Sequence, residues 1–475
     1  MSSLSALNAL LGSSSSQGAV DLSAILEAAT GASTPGIDVT SAVNASITAA
    51  EAPETNWENQ ETALQNQTTA LTGLQTDATN LDNDIQSLNS LTGPLSGATV
   101  TSTNSGIVTG SAVSGSALGN NVIVVNSLAT TASYSSSAVA SPTTDLPAET
   151  ITITPAGGTA TTITTGSGVN TLTDLQNAIN QAGLGVTASI ITDASGSRLA
   201  ITSDTSGSAG SFAIASSGGS FGFTAGNPGS NASLTVNGIA VSSASNTVTG
   251  ALPGVTLNLQ NASPGTQVTL DVTPNVSQAS SAINQFVSDY NTLIGAVNAQ
   301  YSDTGSGQGV LADDPTVENL QNTLLQTLDY TASPASGSSS TTVPNLSSLG
   351  ITVNTDGTLS VNNSTLSSAL QNNFSDVQNF FQGSALNGFA NTLDQQLTNF
   401  ISPADGAFTV DLQSISTETT GLQTDITNFQ QNVIAPLKIQ LQSEYSSAEI
   451  ALQQLPAEIK NVDAELGNNN NSSNG

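Results

Sequence analysis

An apolar repeat of seven residues occurs near each end of this chain, and between the two repeats the sequence alternates with period two. In the first repeat Trp57, Leu64, Leu71, Ala78 and Ile85 stand seven apart. Gln60, Gln67, Leu74, Leu81 and Leu88 take the second register, three residues on. Such a pattern joins helices along one seam, which the early Gln residues weaken. The spacing predicts a helix over residues 54–91, about 57 Å long at 1.5 Å per residue, stopped by Gly93-Pro94. A shorter helix is predicted ahead of it, capped by Asp38, with Val39, Val43, Ile47 and Ala50 on one face. Pro53 interrupts that helix or restarts the next. The second repeat begins near Asp411. Ile415, Leu422 and Phe429 alternate with Ile426 and Val433, and Leu441, Ala448 and Leu455 with Tyr445, Leu452 and Ile459. Pro436 predicts a kink or break between those two stretches.

Residues 96–275 are rich in Gly, Ser, Thr and Val. Strands are predicted at 122–125, 150–153, 199–201, 234–236, 255–259 and 268–272. Asn237-Gly238 signals a hairpin turn with positive φ. One helix interrupts the region, Thr171 to Ala182, with Leu172, Leu175 and Ile179 on one face. After Pro274 the helical period returns through Ile283, Phe286, Tyr290, Leu293 and Val297. Asp314 caps a further helix with Pro315 at its first position, then Val317, Leu320, Leu324 and Leu328. A hairpin spans 351–361 around Asn354-Thr355-Asp356-Gly357. Leu366, Leu370, Val377, Phe380 and Phe381 predict one more helix.

The chain of 475 residues has 3 Lys+Arg, no His and no Cys against 34 Asp+Glu, a net charge of -31. Three bases cannot neutralise a phosphate backbone or an anionic membrane surface, so nucleic acid and such membranes are not expected partners. The missing Cys and His exclude disulfides, thiolate chemistry and zinc sites of Cys/His type. No apolar run approaches the roughly 20 residues of a membrane span. The opening MSSLSALNALLGSSSS has no basic stretch ahead of its short apolar one, so no cleaved signal peptide is expected.

Catalysis is not expected, and neither is a metal or cofactor. Gly218-Gly219-Ser220-Phe221-Gly222 fits a nucleophile-elbow pattern, but Ser220 has no His to take its proton. Ala435 and Ala457 stand three residues ahead of Lys438 and Lys460, where a serine would have to be. The Asp313-Asp314 pair has a sufficient role in capping a helix. The loop at 354–357 has one carboxylate where a calcium loop needs several. Trp57, the single tryptophan, is expected to anchor packing between helices.

The expected fold is therefore multidomain α+β: an antiparallel helical coiled-coil stem or leg from both chain ends, with a β-rich head inserted between them. Three stretches carry a resemblance. GIDVTSAVNASITAAEAPETNWENQETALQNQTTALTGLQTDATNLDNDIQSL (36–88) looks like the N-terminal leg of the flagellar filament cap family, the hook-associated protein 2 family. TLTDLQNAINQAGLGVTASIITDASGSRLAITS (171–203) is similar to the flagellin-type insertion motif. LTVNGIAVSSASNTVTGALPGVTLNLQNASPGTQVTLDVTPNVSQASSAINQFVSDYNTLIGAVNAQ (234–300) resembles the family's later part, continued by GVLADDPTVENL and SLGITVNTDGTLSVNNSTLSSAL.

The resemblance implies a flexible export and stem segment at 1–38 and N-terminal leg helices at 39–95. It implies an inner β-rich head at 96–145 and 230–275, and an outer head with the insertion motif at 146–229. A C-terminal leg at 276–410 and a coiled-coil stem with a disordered tail at 411–475 complete it. It further implies a homo-oligomer, a pentamer by default, that sits at the flagellum tip and promotes folding and polymerisation of exported flagellin. Flagellin, the hook–filament junction proteins and an export chaperone at the C-terminal stem are the implied partners. Export runs through the flagellar channel without a cleaved signal. The alternative from another class is an extracellular adhesin or surface-layer protein that binds carbohydrate or substratum.

The sequence departs from the family in its bases. Gln, Asn, Ser and Thr stand where legs usually carry Lys and Arg, so register must come from apolar spacing and polar hydrogen bonds. At the seams, packing within the chain is the simpler expectation, and contact with flagellin or a neighbouring subunit the sharper one. Few bases also mean little positive charge once carboxylates are neutralised near pH 4, which suits acidic surroundings.

Overall fold

The computed structural model describes residues 38–219, 222–302, 307–334 and 341–469. Ten α-helices lie among these residues. They are α1 (Val39–Ala50), α2 (Ala52–Asn89), α3 (Leu172–Gln181), α4 (Val276–Tyr301), α5 (Pro315–Thr327), α6 (Asn363–Asn372), α7 (Phe374–Gln382), α8 (Phe389–Ile401), α9 (Ala407–Phe429) and α10 (Ala435–Asn469). The chain divides into two compact units. One is drawn from Met1–Thr79, Gly295–Asn322 and Leu397–Gly475, the other from Asn80–Ile294 and Thr323–Gln396.

The first unit is helical. Asp38 caps α1 by accepting from the backbone N–H of Ser41 at 3.1 Å. Pro53 sits in the first turn of α2, where its missing N–H costs nothing. In this unit α2 buries Leu64, Leu71, Leu74 and Ala78 while Gln60 stays exposed. α9 starts at Ala407, four residues before the expected Asp411.

The second unit contains two antiparallel β cores. In one, a five-stranded sheet runs in the order Ala98–Ser102, Val268–Pro274, Gly119–Ser127, Ala232–Val236, Ile239–Ser243. A three-stranded sheet of Thr247–Leu252, Val255–Leu259 and Val108–Ala112 shares its core. Alternation decides the faces: Ala232, Leu234 and Val236 point inward, and Ser233 and Thr235 do not. Asn237 and Gly238 both have positive φ, 51° and 82°, and close the hairpin between the last two strands of the large sheet.

The other β core joins a four-stranded sheet (Thr224–Ala225, Thr131–Ser135, Gly196–Ser206, Val186–Asp193) to a three-stranded one (Thr161–Thr164, Thr150–Pro155, Phe212–Ser216). α3 packs Leu172, Leu175 and Ile179 into it. Thr171 and Asp174 form a reciprocal capping box at its start. The boundary between the two cores falls near residue 130 and not at 145, because Thr131–Ser135 pairs with Gly196–Ser206.

The rest of this unit is helical apart from the hairpin of Ile351–Val353 and Leu359–Val361. Phe286, Phe380, Phe381 and Phe389 meet at centroid distances of 5.1 to 6.4 Å. α2 ends here with Leu81, Ile85 and Leu88 fully buried. The buried Gln382 amide donates to the carbonyls of Leu88, in the last turn of α2, and of Ser90 just beyond it, both at 3.1 Å. The single helix expected over 366–381 is two, α6 and α7, divided at Asn373 (φ -135°, ψ 36°). α8 was not expected at all.

Candidate interaction surface of the terminal helices

Within the helical unit α2 and α9 run antiparallel. Gln423 Nε2 donates to Glu61 Oε1 at 2.7 Å, and Gln430 Nε2 donates to Glu54 Oε1 at 2.6 Å. The partners step by seven residues on both helices and in opposite directions, one heptad on each. Between these two bonds the Trp57 and Phe429 rings meet edge to face, centroids 5.4 Å apart. Ile415, Leu422, Ile426 and Phe429 are half-buried on α9, as Trp57 is on α2. Glu–Gln pairs thus occupy places where salt bridges commonly stand. Among the described residues the ion pair recorded is Arg198–Asp193, at 3.8 Å, in a sheet of the other unit.

The helix does not break at Pro436. Residues Gln430–Ile434 form one π-helical turn, and the Ala435 N–H donates five residues back, to the Gln430 carbonyl. Proline cannot donate, and its ring crowds the carbonyl four residues behind, here that of Asn432. The wider turn relieves that crowding and inserts one residue into the helix. The insertion moves the seam. Val433, an expected seam position, is 40% exposed, and Ile434 is 4% exposed in its place. Ile434 joins Val43 and Ile47 of α1 in a core that Leu437, Leu441 and Tyr445 extend. The hydroxyls of Ser46 and Tyr445 lie 3.4 Å apart at its end.

Beyond Tyr445 the expected seam is open among the described residues. Ala448 is exposed and Leu452 is 39% exposed, while Ile439 and Ile450 project outward at 69% and 56%. The side chains of Leu455 and Ile459 lie outside the described residues, as do residues 1–37, Ser220, Phe221 and the tail from 470. On α2 the other expected seam residues, Leu64, Leu71, Leu74, Ala78, Leu81, Ile85 and Leu88, are all buried. Sequence reasoning passed over Ile434 and the two Glu–Gln bonds. A proline inside a helical repeat, and Glu54/Glu61 and Gln423/Gln430 each spaced by seven, were the available signals.

The sites weighed for other chemistry have structural duties. Asp314 Oδ1 accepts from the Thr316 N–H at 2.8 Å and caps α5. With Asp313, Asp411, Gln67 and Ile415 it lines part of a cavity of about 370 Å³. Asp356 accepts from the Thr358 N–H at 3.0 Å and its hydroxyl at 2.6 Å, which hold its carboxyl below the usual range, and the loop is a β-turn. Among the described residues no three His, Cys, Asp or Glu side chains are placed to hold a metal ion. No described helix is long and apolar enough to cross a membrane.

Three family models match the chain. Flagellar hook-associated protein 2 N-terminus covers residues 35–132, Flagellin hook IN motif 150–205, and Flagellar hook-associated protein 2 C-terminus 229–457. The B-type flagellar hook-associated protein 2 of Pseudomonas aeruginosa is 31% identical over 318 residues, 60% of this chain and 66% of its own length. The A-type protein of that species is 29% identical over 172 residues, 35% of this chain and 34% of its own. The chain thus matches about two thirds of the first relative and about a third of the second. A crystal structure of the flagellar cap protein FliD D1-D2-D3 domains from Escherichia coli superposes with a TM-score of 0.57 at 26% identity, covering 74% of this chain and 99% of that one.

Proposed function

The chain belongs to the flagellar hook-associated protein 2 family, and on that premise we propose that it caps the growing flagellar filament. Copies of the chain, five by default, form a plate at the filament tip. Exported flagellin folds beneath the plate and adds to the filament. The terminal helices reach toward flagellin and the hook–filament junction proteins, and an export chaperone holds the C-terminal stem before assembly. The protein works outside the cell, leaves through the flagellar channel and performs no catalysis.

One observation carries this reading. Helices α2 and α9, drawn from the two ends of one chain, share an antiparallel seam, while Ile439, Ile450 and Leu452 of α10 stay uncovered. In this reading the seam from Trp57 to Leu88 and that from Ile415 to Tyr445 hold the chain's own helices together. The α10 positions from Ala448 to Ile459 serve a partner.

Electron microscopy of gold-labelled chain added to filaments tests the assignment. Label confined to distal tips supports capping. Label along the shaft, or on glycan-coated substratum without filaments, supports the adhesin instead.

A further inference from the structure

Four carboxyl groups meet around one turn of α2, in the unit that also holds the β cores. Gln86 Nε2 donates both to Asp82 Oδ2, at 2.7 Å, and to Asp394 Oδ1 of α8, at 3.0 Å. Two residues along α2 from Asp82, the Asp84 carboxyl faces that of Asp289 on α4, within hydrogen-bonding reach. Gln285 Nε2 donates to Asp289 Oδ1, at 3.0 Å. Asp82 is 6% exposed. Its Oδ1, and Oδ2 of Asp84, are buried and receive no donor from the protein.

No base sits in any of the three helical stretches that meet here. Residues 80–89, 276–294 and 389–396 carry Asp82, Asp84, Asp289 and Asp394 as their charged groups, and the three bases of the chain are Arg198, Lys438 and Lys460. Two facing carboxylates buried together repel, whereas a carboxyl and a carboxylate share one proton and attract. The Gln86 amide offers two N–H groups, and both are already used. A proton shared within each pair supplies the donor that Asp82 Oδ1 and Asp84 Oδ2 do not receive from the rest of the protein.

We propose that the two pairs are a proton-operated latch: with one proton in each, they fasten α2 to α4 and α8, and loss of those protons loosens that joint. Burial first, then the neighbouring Asp394, pushes Asp82 up to about 7. Burial first, then the hydrogen bond and charge of Asp289, pushes Asp84 up to about 6. Both groups start from 3.8. A carboxyl whose pKa is raised by folding favours the folded state fully below its unfolded value. That contribution is lost as pH rises through the folded value. The stability that the latch confers is therefore full below about pH 4 and falls as pH rises until it is gone above about pH 7, while the protons themselves leave as pH passes about 6 to 7.

Hydrogen–deuterium exchange of the full chain at pH 5 and pH 8, corrected for the intrinsic pH dependence of exchange, tests the latch. Amides 80–89 are expected to lose protection about tenfold or more at pH 8. The net charge of -31 makes the whole chain pH-sensitive, so the deciding readout is a comparison with Asp82→Asn/Asp84→Asn. That variant is expected to show a smaller loss at 80–89 and an unchanged loss in the β cores. If it fails to fold, Asp289→Asn/Asp394→Asn removes the opposing charges and carries the same expectation. Equal protection of 80–89 at the two pH values, or the same loss in the wild type and the variant, overturns the proposal.

Discussion

Trp57 and Phe429 stand 372 positions apart in sequence and meet edge to face, with ring planes at 88°. The contact lies between two Glu–Gln hydrogen bonds that are one heptad apart, so it marks the register of the antiparallel pair. Trp57→Ala should destabilise the helical unit by about 1 to 3 kcal/mol, less than for a fully buried aromatic because the indole is half-buried. Trp57→Phe should restore most of the loss. Urea denaturation followed by the helical circular dichroism signal checks both.

The Gln423–Glu61 bond carries the polar part of that register without a base. Gln423→Glu should place two carboxylates against each other and cost about 0.5 to 1 kcal/mol, whereas Gln423→Lys should be neutral or slightly stabilising. Thermal unfolding at low and at 0.5 M salt separates the two, because screening lessens the loss in the glutamate variant and removes any gain in the lysine variant.

The π-turn makes a prediction that an uninterrupted heptad reverses. Ile434→Ala should cost about 2 to 4 kcal/mol, since the residue is buried against α1. Val433→Ala should cost under about 0.5 kcal/mol. Denaturation midpoints of the two variants, measured side by side, decide which residue belongs to the seam.

These results mark how far the sequence carries. The repeat through Leu71, Leu74, Ala78, Leu81, Ile85 and Leu88 was legible because an uninterrupted α-helix converts spacing directly into a buried face. The strand alternation and the Asn237-Gly238 turn were legible for the same local reason. Val433 misled because the π-turn shifts the seam by one residue: Ile434, Leu441 and Tyr445, seven and four apart, share the core, whereas Val433 keeps the register of the stretch before the turn. Asn373 carries no strong breaker signal, so the division between α6 and α7 was hidden. α8 does carry a signal, Phe389, Leu393, Leu397 and Phe400 at spacings of four, four and three. The carboxyl pairs could not be read at all: Asp82, Asp289 and Asp394 come from three distant segments, and only the tertiary fold brings them together.

Deletion of the gene, with counting of filaments and assay of the culture medium, tests the capping assignment most directly. Loss of the chain should leave cells without full-length filaments and with unpolymerised flagellin in the medium. Re-expression of the wild type should restore filaments. Ile439→Ser/Ile450→Ser should fold, since both residues are exposed, and should fail to restore them. Full-length filaments on the deletion strain, with no flagellin released, would contradict the account.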